Sequence, residues 1–419
     1  MTPQLLPFQQ EGAAWLTSHF RCLLADEMGL GKTVQVLSLA QELPGIQKVL
    51  IVCPASLKLN WIREMKTWAP KFSGPYRHSV LSGASIGEVT DFTVVNYDIL
   101  SARINELASV RWDLVVADEA HNLKNTGAKR SSAFFGNLIA ANRLILLSGT
   151  PIPNRPKELW PLLRALDETE WEDREKFEAR YCGGHYGDRG WWADGSTNLG
   201  ELNAKLQPFM LRRLKKDVLT ELPDKFYQTV ELETKNVWTD KAEISLDEMA
   251  TLRREEGLAK VSSVCEHLED LLVERKKVVV FHYHREVGLA LFNHFPRSVW
   301  VHGGTENGTR QMLVDRFQVE KGTELFIGQI QAAGEGITLT AADTVCFAEL
   351  DWVPGRMKQA EDRLHRVGQK ANVLVQHLVG EGTFDAWMSE LLIKKSLNAG
   401  IALGDIDPLV EFKKYRGGR

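Results

Sequence analysis

Short, unbroken apolar runs recur along the chain, separated by polar segments with helical spacing. The first is CLLA at 22–25, followed by KVLIVC from Lys48, FTVVNY from Phe92, WDLVVADE from Trp112 and RLILLSGT from Arg143. A second set begins with KVVVFHYH from Lys277 and continues with SVWVHG, TELFIG, TVCFAEL and VLVQHLV. Apolar runs of this length, bounded by turn residues, predict strands buried on both faces. Strands alternating with helices predict parallel α/β sheets. Residues from roughly 151 to 275 read as mostly helical and separate the two sets. Within them YCGGHYGDRGWWADG, 181–195, reads as an ordered irregular loop, because so many aromatic rings are costly to leave in water. KLQPFMLRRLKK, 205–216, reads as a half-buried helix with basic residues on its rim, facing a nucleic acid or bracing neighbouring parts of the fold; a solvated helix face is the plainer alternative.

The organisation expected is therefore two α/β domains. The first covers 1–225 and includes the helical insertion from about 151. The second covers 226–419, with a helical start and a C-terminal helix. A chain of 419 residues is long enough for two such cores. Composition adds little to this: 44% hydrophobic, 25% charged and a net charge of −4, so a nucleic-acid surface has to be local. No apolar run approaches membrane-spanning length, and the N-terminus lacks a secretory pattern, so no membrane partner is expected. The cysteines, at 22, 53, 182, 265 and 346, are scattered without a CxxC pair, which reads as reduced thiols.

Chemistry concentrates at the ends of the apolar runs. ADEMGLGKT follows the first, with Gly29, Gly31, Lys32 and Thr33 opening a helix. Strand, glycine loop and helix N-terminus present N–H groups to a phosphate. The usual loop begins with glycine, and here Asp26 holds that place. The fourth run delivers Asp118 and Glu119. Asp118 suits Mg²⁺, directly or through water, and Glu119 suits the attacking water. His121 follows them. The fifth run ends in Ser148, Gly149 and Thr150, whose hydroxyls can couple the nucleotide to another surface or simply form a turn. In QAEDRLHRVGQ, Gln359, Arg363 and Arg366 are spaced to share one helix face, which Gly368 can end. Two arginines converging there suit the charge on a transferring γ-phosphoryl group; a surface salt-bridge face with Glu361 and Asp362 is the alternative.

The series DEMGLGKT, DEAH, SGTP, AAGEGITLTAAD, FAELDWVPG and QAEDRLHRVGQ resembles the Swi/Snf-type ATPases of helicase superfamily two over essentially the whole chain. It is most similar to the annealing-helicase, HARP-like branch, through RYCGGHYG, FMLRRLKKDVLTELPDK, AAGEGITLT and FAELDW. Gln329 and Gln331 depart from the serine and arginine usual in other branches. The resemblance implies two tandem RecA-like lobes with parallel sheets and a mostly helical insertion between them. It implies ATP and Mg²⁺, the latter at Thr33 and Asp118. It makes Asp26 the family's own variant and adds Glu27, Met28, Leu30 and Gly336 to the nucleotide loops. Gln9 becomes the adenine-reading residue, with Gln10 as alternative. Ser56 and Lys58 of CPASLKLNW become contacts to the tracking strand, with Asn60 and Trp61 structural. Tyr97 of NYD and Gly303 and Gly304 of HGGT become further backbone contacts, and His121, Ser148 and Thr150 the coupling residues.

The activity implied is ATP-driven translocation on double-stranded or branched DNA, with remodelling or annealing of the branch. An RNA helicase and an ATP-gated clamp that does not move are the rival readings. The chain begins at LLPFQQEGAAWL, so a motor without preceding DNA-recognition modules is expected. A monomer, recruited by a partner protein, is expected in a bacterial or phage-infected cytoplasm, or in a nucleus if eukaryotic.

Overall fold

The computed structural model describes residues 4–83, 86–188, 190–234, 246–333, 337–380 and 383–405. The chain forms two compact units, Met1–Val218 with Leu397–Arg419, and Leu219–Ser396. Residues 219–225 and the segment from 397 thus group otherwise than in a single division at 225.

The strands of the first unit are β1 (Arg21–Leu24), β2 (Val49–Cys53), β3 (His78–Val80), β4 (Phe92–Asn96), β5 (Leu114–Asp118), β6 (Arg143–Leu147), the hairpin β7 (His185–Gly187) and β8 (Gly190–Trp192), and β9 (Met210–Leu211). Seven make one sheet in the order β3-β4-β2-β5-β6-β1-β9, with every pairing parallel. β2, β4, β5 and β6 are buried at every position, which is why their sequences are predominantly apolar and lack a polar–apolar alternation. The two-residue period of side chains divides them between two cores. Leu50, Val52, Val115, Leu144 and Leu146 face one, and Leu24, Ile51, Val116, Ile145 and Leu147 the other.

In the second unit β10 (Lys225–Leu232), β11 (Val278–His282), β12 (Ser298–Val301), β13 (Leu325–Gln329), β14 (Thr344–Phe347) and β15 (Val373–Gly380) form a parallel sheet ordered β10-β15-β14-β11-β13-β12. It too carries a core on each face. The helix Phe384–Leu403 serves both units: Phe384, Met388 and Leu392 are core residues of the second, Ala402 and Leu403 of the first.

Three segments fold differently from their sequence reading. The aromatic stretch at 181–195 contains an antiparallel hairpin in which His185 pairs with Trp192 and Tyr186 with Trp191. The basic run at 205–216 is not one helix: a helix ends at Leu206, β9 adds an edge to β1, and a short helix starts at Lys215. Its Arg212 and Arg213 are held inside the unit by ion pairs, and Lys215 is buried. The helical region before 275 also yields the eight-residue strand β10.

Candidate functional site

Three strand ends meet on one edge of the first sheet, because β1, β6 and β5 are neighbours and parallel. β1 leads into 25–31 and the helix Lys32–Glu42. Gly31 caps that helix with φ 76°, and a Cβ there would meet Gln9 Nε2 at 2.5 Å. The first turn of a helix leaves N–H groups without intrahelical acceptors, so the loop offers donors and a positive dipole end to an anion. Gly29 lies exposed at the tip. Lys32 Nζ donates to the carbonyls of Asp26 (2.8 Å) and Glu27 (3.4 Å).

Other residues of the loop serve as its frame. Asp26 is fully buried, and its carboxylate takes Arg213 in a two-pronged contact together with the Gln35 amide. That explains an aspartate where phosphate loops usually begin with glycine: its side chain is a brace within the fold. Glu27 Oε2 accepts the Lys215 N–H at 2.8 Å, and Met28 and Leu30 are buried. Gln9 stands on the loop, its Nε2 3.3 Å from the Leu30 carbonyl, whereas Gln10 turns to Leu5.

β5 ends at Asp118, and Glu119 turns the chain with a left-handed φ of 49°, a conformation costing a non-glycine residue roughly 1–2 kcal/mol. Asp118 Oδ2 accepts from Trp61 Nε1 (2.8 Å) and Oδ1 from the Glu119 amide (3.0 Å), while Tyr97 Oη donates to the Asp118 carbonyl (2.7 Å). Burial, then the neighbouring Glu119, pushes the Asp118 carboxyl up to about 7, against the pull of Trp61 and Lys32. A divalent cation would relieve that cost. Among the described residues no group of three or more His, Cys, Asp or Glu converges. The donor set of the Asp118 carboxylate and the Thr33 hydroxyl is one that a Mg²⁺ sharing phosphate oxygens would fit.

From the carboxylates a polar chain leads to the end of β6. Glu119 Oε2 is 3.4 Å from His121 Nδ1, which lies 3.3 Å from Ser148 Oγ, and Ser148 Oγ accepts the Thr150 N–H at 3.2 Å. Gly149 is needed between them: a Cβ there would meet Met28 Cγ at 2.4 Å and Lys32 Nζ at 3.3 Å. The SGT loop thus lies directly on the phosphate loop.

In the second unit the helix Pro354–Glu361 stops short of the arginines, so Gln359, Arg363 and Arg366 do not share a helix face. Gln359 is buried in that helix; Arg363 and Arg366 lie in the turns beyond it, before Gly368 at φ 104°. Arg366 Nη1 donates to Ile337 O (3.2 Å) and Thr338 Oγ1 (2.9 Å), and burial lowers its pKa. The acids beside them are taken from elsewhere: Lys225 reaches Asp362 at 2.9 Å and Glu361 at 3.3 Å, and Tyr227 donates to Glu361. Gly336 lies outside the described residues.

The expected nucleic-acid contacts divide. Ser56 is half-buried, and Lys58 Nζ donates to Leu81 O and Ser82 Oγ. Tyr97 is buried beneath the carboxylate strand, so its ring cannot reach a nucleic acid. Gly303 and Gly304 are exposed, and Gln329 fastens their turn, accepting the Gly303 N–H at 3.0 Å and donating to Tyr283 O at 3.1 Å. Trp61, expected to be structural, instead orients Asp118. Gln35 supports the phosphate loop without belonging to any motif, and Arg213 and Lys225, both within FMLRRLKKDVLTELPDK, support Asp26 and the Glu361–Asp362 pair rather than a nucleic acid.

A lysine-bearing glycine loop beside a carboxylate strand, with one strand between their two strands, defines a P-loop type of nucleotide-binding α/β protein. The chain matches the SNF2-related domain over residues 8–277 and the helicase conserved C-terminal domain over 259–368, and it belongs to the SNF2-related family. It is 34% identical to the DNA annealing helicase and endonuclease ZRANB3 of Bos taurus, over 96% of this chain and 40% of that protein. It is 33% identical to the SWI/SNF-related matrix-associated actin-dependent regulator of chromatin subfamily A-like protein 1 of Xenopus tropicalis, over 98% of this chain and 46% of that protein. The chain therefore spans less than half the length of these two relatives. Among solved structures it is similar to the Sulfolobus solfataricus SWI2/SNF2 ATPase core in complex with dsDNA, with 25% identity, a TM-score of 0.49, and coverage of 96% of this chain and 94% of that one.

Proposed function

We infer that the chain is a DNA-dependent ATP hydrolase that moves along duplex DNA and acts on branched or annealing substrates. The observation that carries this is the meeting of Lys32, Asp118, Glu119 and the Ser148–Thr150 loop on one sheet edge. In this reading the helix N-terminus and Lys32 hold the β- and γ-phosphates, and Thr33 and Asp118 hold Mg²⁺. Glu119 orients the attacking water, with His121 linking it to Ser148 and Thr150. Arg363 and Arg366 answer the charge on the transferring γ-phosphoryl group. Gly303, Gly304, Ser56 and Lys58 contribute to a backbone track, so sequence preference is weak. Duplex DNA is favoured over RNA because the Bos taurus relative is named as a DNA annealing helicase. No helix among the described residues is long and apolar enough to cross a membrane.

The test is ATP turnover by the full chain with duplex DNA, branched DNA or duplex RNA, alongside displacement of a third strand from a triplex. Stimulation by DNA alone, with displacement, is expected, and Lys32→Ala should abolish both. Equal stimulation by RNA would favour the helicase alternative; turnover without displacement would leave a clamp.

A further inference from the structure

The nucleotide site of the first unit is framed by a residue from the far end of the chain. Arg212 follows β9 directly, and its Nη1 donates to the carbonyls of Ala25 (2.6 Å) and Gly149 (3.4 Å). Ala25 opens the phosphate loop, and Gly149 is the centre of the SGT loop. One guanidinium therefore ties the exits of β1 and β6 together. Its other edge is taken by Asp405: Nε to Oδ1 at 2.6 Å and Nη2 to Oδ2 at 2.6 Å, with the arginine side chain 6% and the aspartate 15% exposed. Such a planar fork fixes orientation as well as distance.

The end of the chain is built to deliver this carboxylate. Ala402 and Leu403 bury in the core beside Leu202 and Leu206. Gly404 turns the backbone with φ 78°, its N–H donating to Ile401 O, and the Asp405 N–H donates to Gly400 O at 2.8 Å. A Cβ at 404 would meet Asn203 Nδ2 at 2.8 Å, and that amide donates to Ala402 O. The turn is thus held from both sides, and the Asp405 carboxylate leaves it facing Arg212.

We propose that Asp405 is a positioning residue for the phosphate loop, acting through Arg212, so that the segment Leu397–Asp405 sets how well the first unit holds ATP. Without its carboxylate the guanidinium loses the partner that fixes its plane. The Ala25 and Gly149 carbonyls then lose a common donor, and Lys32, which rests on the neighbouring Asp26 and Glu27 carbonyls, loses its frame. The effect falls on nucleotide binding, not on duplex binding. The proposal rests on the reading of this loop as an ATP site.

The experiment compares the full chain with its Asp405→Asn and Arg212→Lys variants, measuring KM and kcat for ATP with saturating duplex DNA, duplex affinity and melting temperature. Asp405→Asn should raise KM about ten-fold, the weight of one charge-assisted hydrogen bond, with kcat and duplex affinity within about two-fold. Arg212→Lys keeps an ion pair with Asp405 but cannot hold both carbonyls, so KM should rise although the melt is nearly parental. A simple surface staple would be satisfied by lysine. If Asp405→Asn melts too low to assay, Arg212→Lys decides alone. A KM within two-fold of the parent in whichever folded variants are assayed overturns the proposal. A parent that hydrolyses no ATP would instead sink the functional reading itself.

Discussion

Arg212 and Arg213 in the first unit, and Arg366 in the second, each sit in a run that mixes basic with apolar residues. The fold treats them differently. Arg213 is forked onto the buried Asp26 and Arg212 onto Asp405, so their charges are answered within the first unit. Arg366 is held by a carbonyl and a hydroxyl and feels the charge of Asp362, whose ion pair is with Lys225. A guanidinium forked onto a carboxylate is a scaffold contact, whereas one hydrogen-bonded to neutral acceptors suits the proposed role of meeting an anion. Asp118 is its carboxylate counterpart, oriented by the neutral N–H groups of Trp61 and Glu119.

The widest gap should open at Arg366. Arg366→Ala is expected to lower DNA-stimulated turnover by roughly 10³-fold or more, as for arginine fingers, with little change in melting. Arg366→Lys should rescue poorly, because a point charge lacks the planar fork. Turnover within a few-fold of the parent would make Arg366 a strut like the first pair.

Arg213 should show the reverse, a loss of folding. Arg213→Met leaves the Asp26 carboxylate, which has no solvent exposure, without its cation, and destabilisation of about 3–5 kcal/mol is expected from denaturant unfolding. Adding Asp26→Asn should recover most of it. A loss below about 1 kcal/mol would erase the contrast.

The smallest effect concerns Asp118. Its carboxyl is raised from its ordinary value to about 7 in the folded state. The stability contributed by the neutral acid is fully present below the unfolded-state value and is lost as pH rises through about 7. Without nucleotide or Mg²⁺, Asp118→Asn should therefore melt several degrees above the parent at pH 8 and level with it near pH 4. Equal melting at both pH values would mean that the carboxylate is already compensated.

The sequence exposes what local physics decides. β2, β4, β5 and β6 are legible because both faces are buried and their runs are predominantly apolar, with polar residues mostly at the ends. β10 alternates poorly, is mostly exposed and has one neighbour, so KFYQTVEL carries no such run. β9 is two residues long and exists through its pairing with β1. The site divides in the same way. GKT, DEAH and SGT are contiguous and lie at strand ends, so a reader meets each whole. Trp61, Lys225 and Arg213 lie in recognisable stretches, CPASLKLNW and FMLRRLKKDVLTELPDK, but act on partners 57, 137 and 187 positions away, and nothing local marks what they touch. Tyr97 shows the complementary case: a loop at a strand end reads as exposed, and the fold turns its hydroxyl under β5.

The spacing of these contacts also bears on how the protein is made. Asp26 waits for Arg213, 187 residues later, and Arg212 for Asp405, 193 residues further on. At 5–20 residues per second a ribosome needs roughly ten to forty seconds for each interval. During the first, a carboxylate destined for the interior has no cation, so the sheet edge that carries the glycine loop has reason to stay open. During the second, the lobe lacks the chain that covers Leu202 and Leu206. The nascent first lobe thus matures last where it binds its ligand, and the period in which it is exposed to chaperones and proteases is set by the synthesis of the whole second lobe.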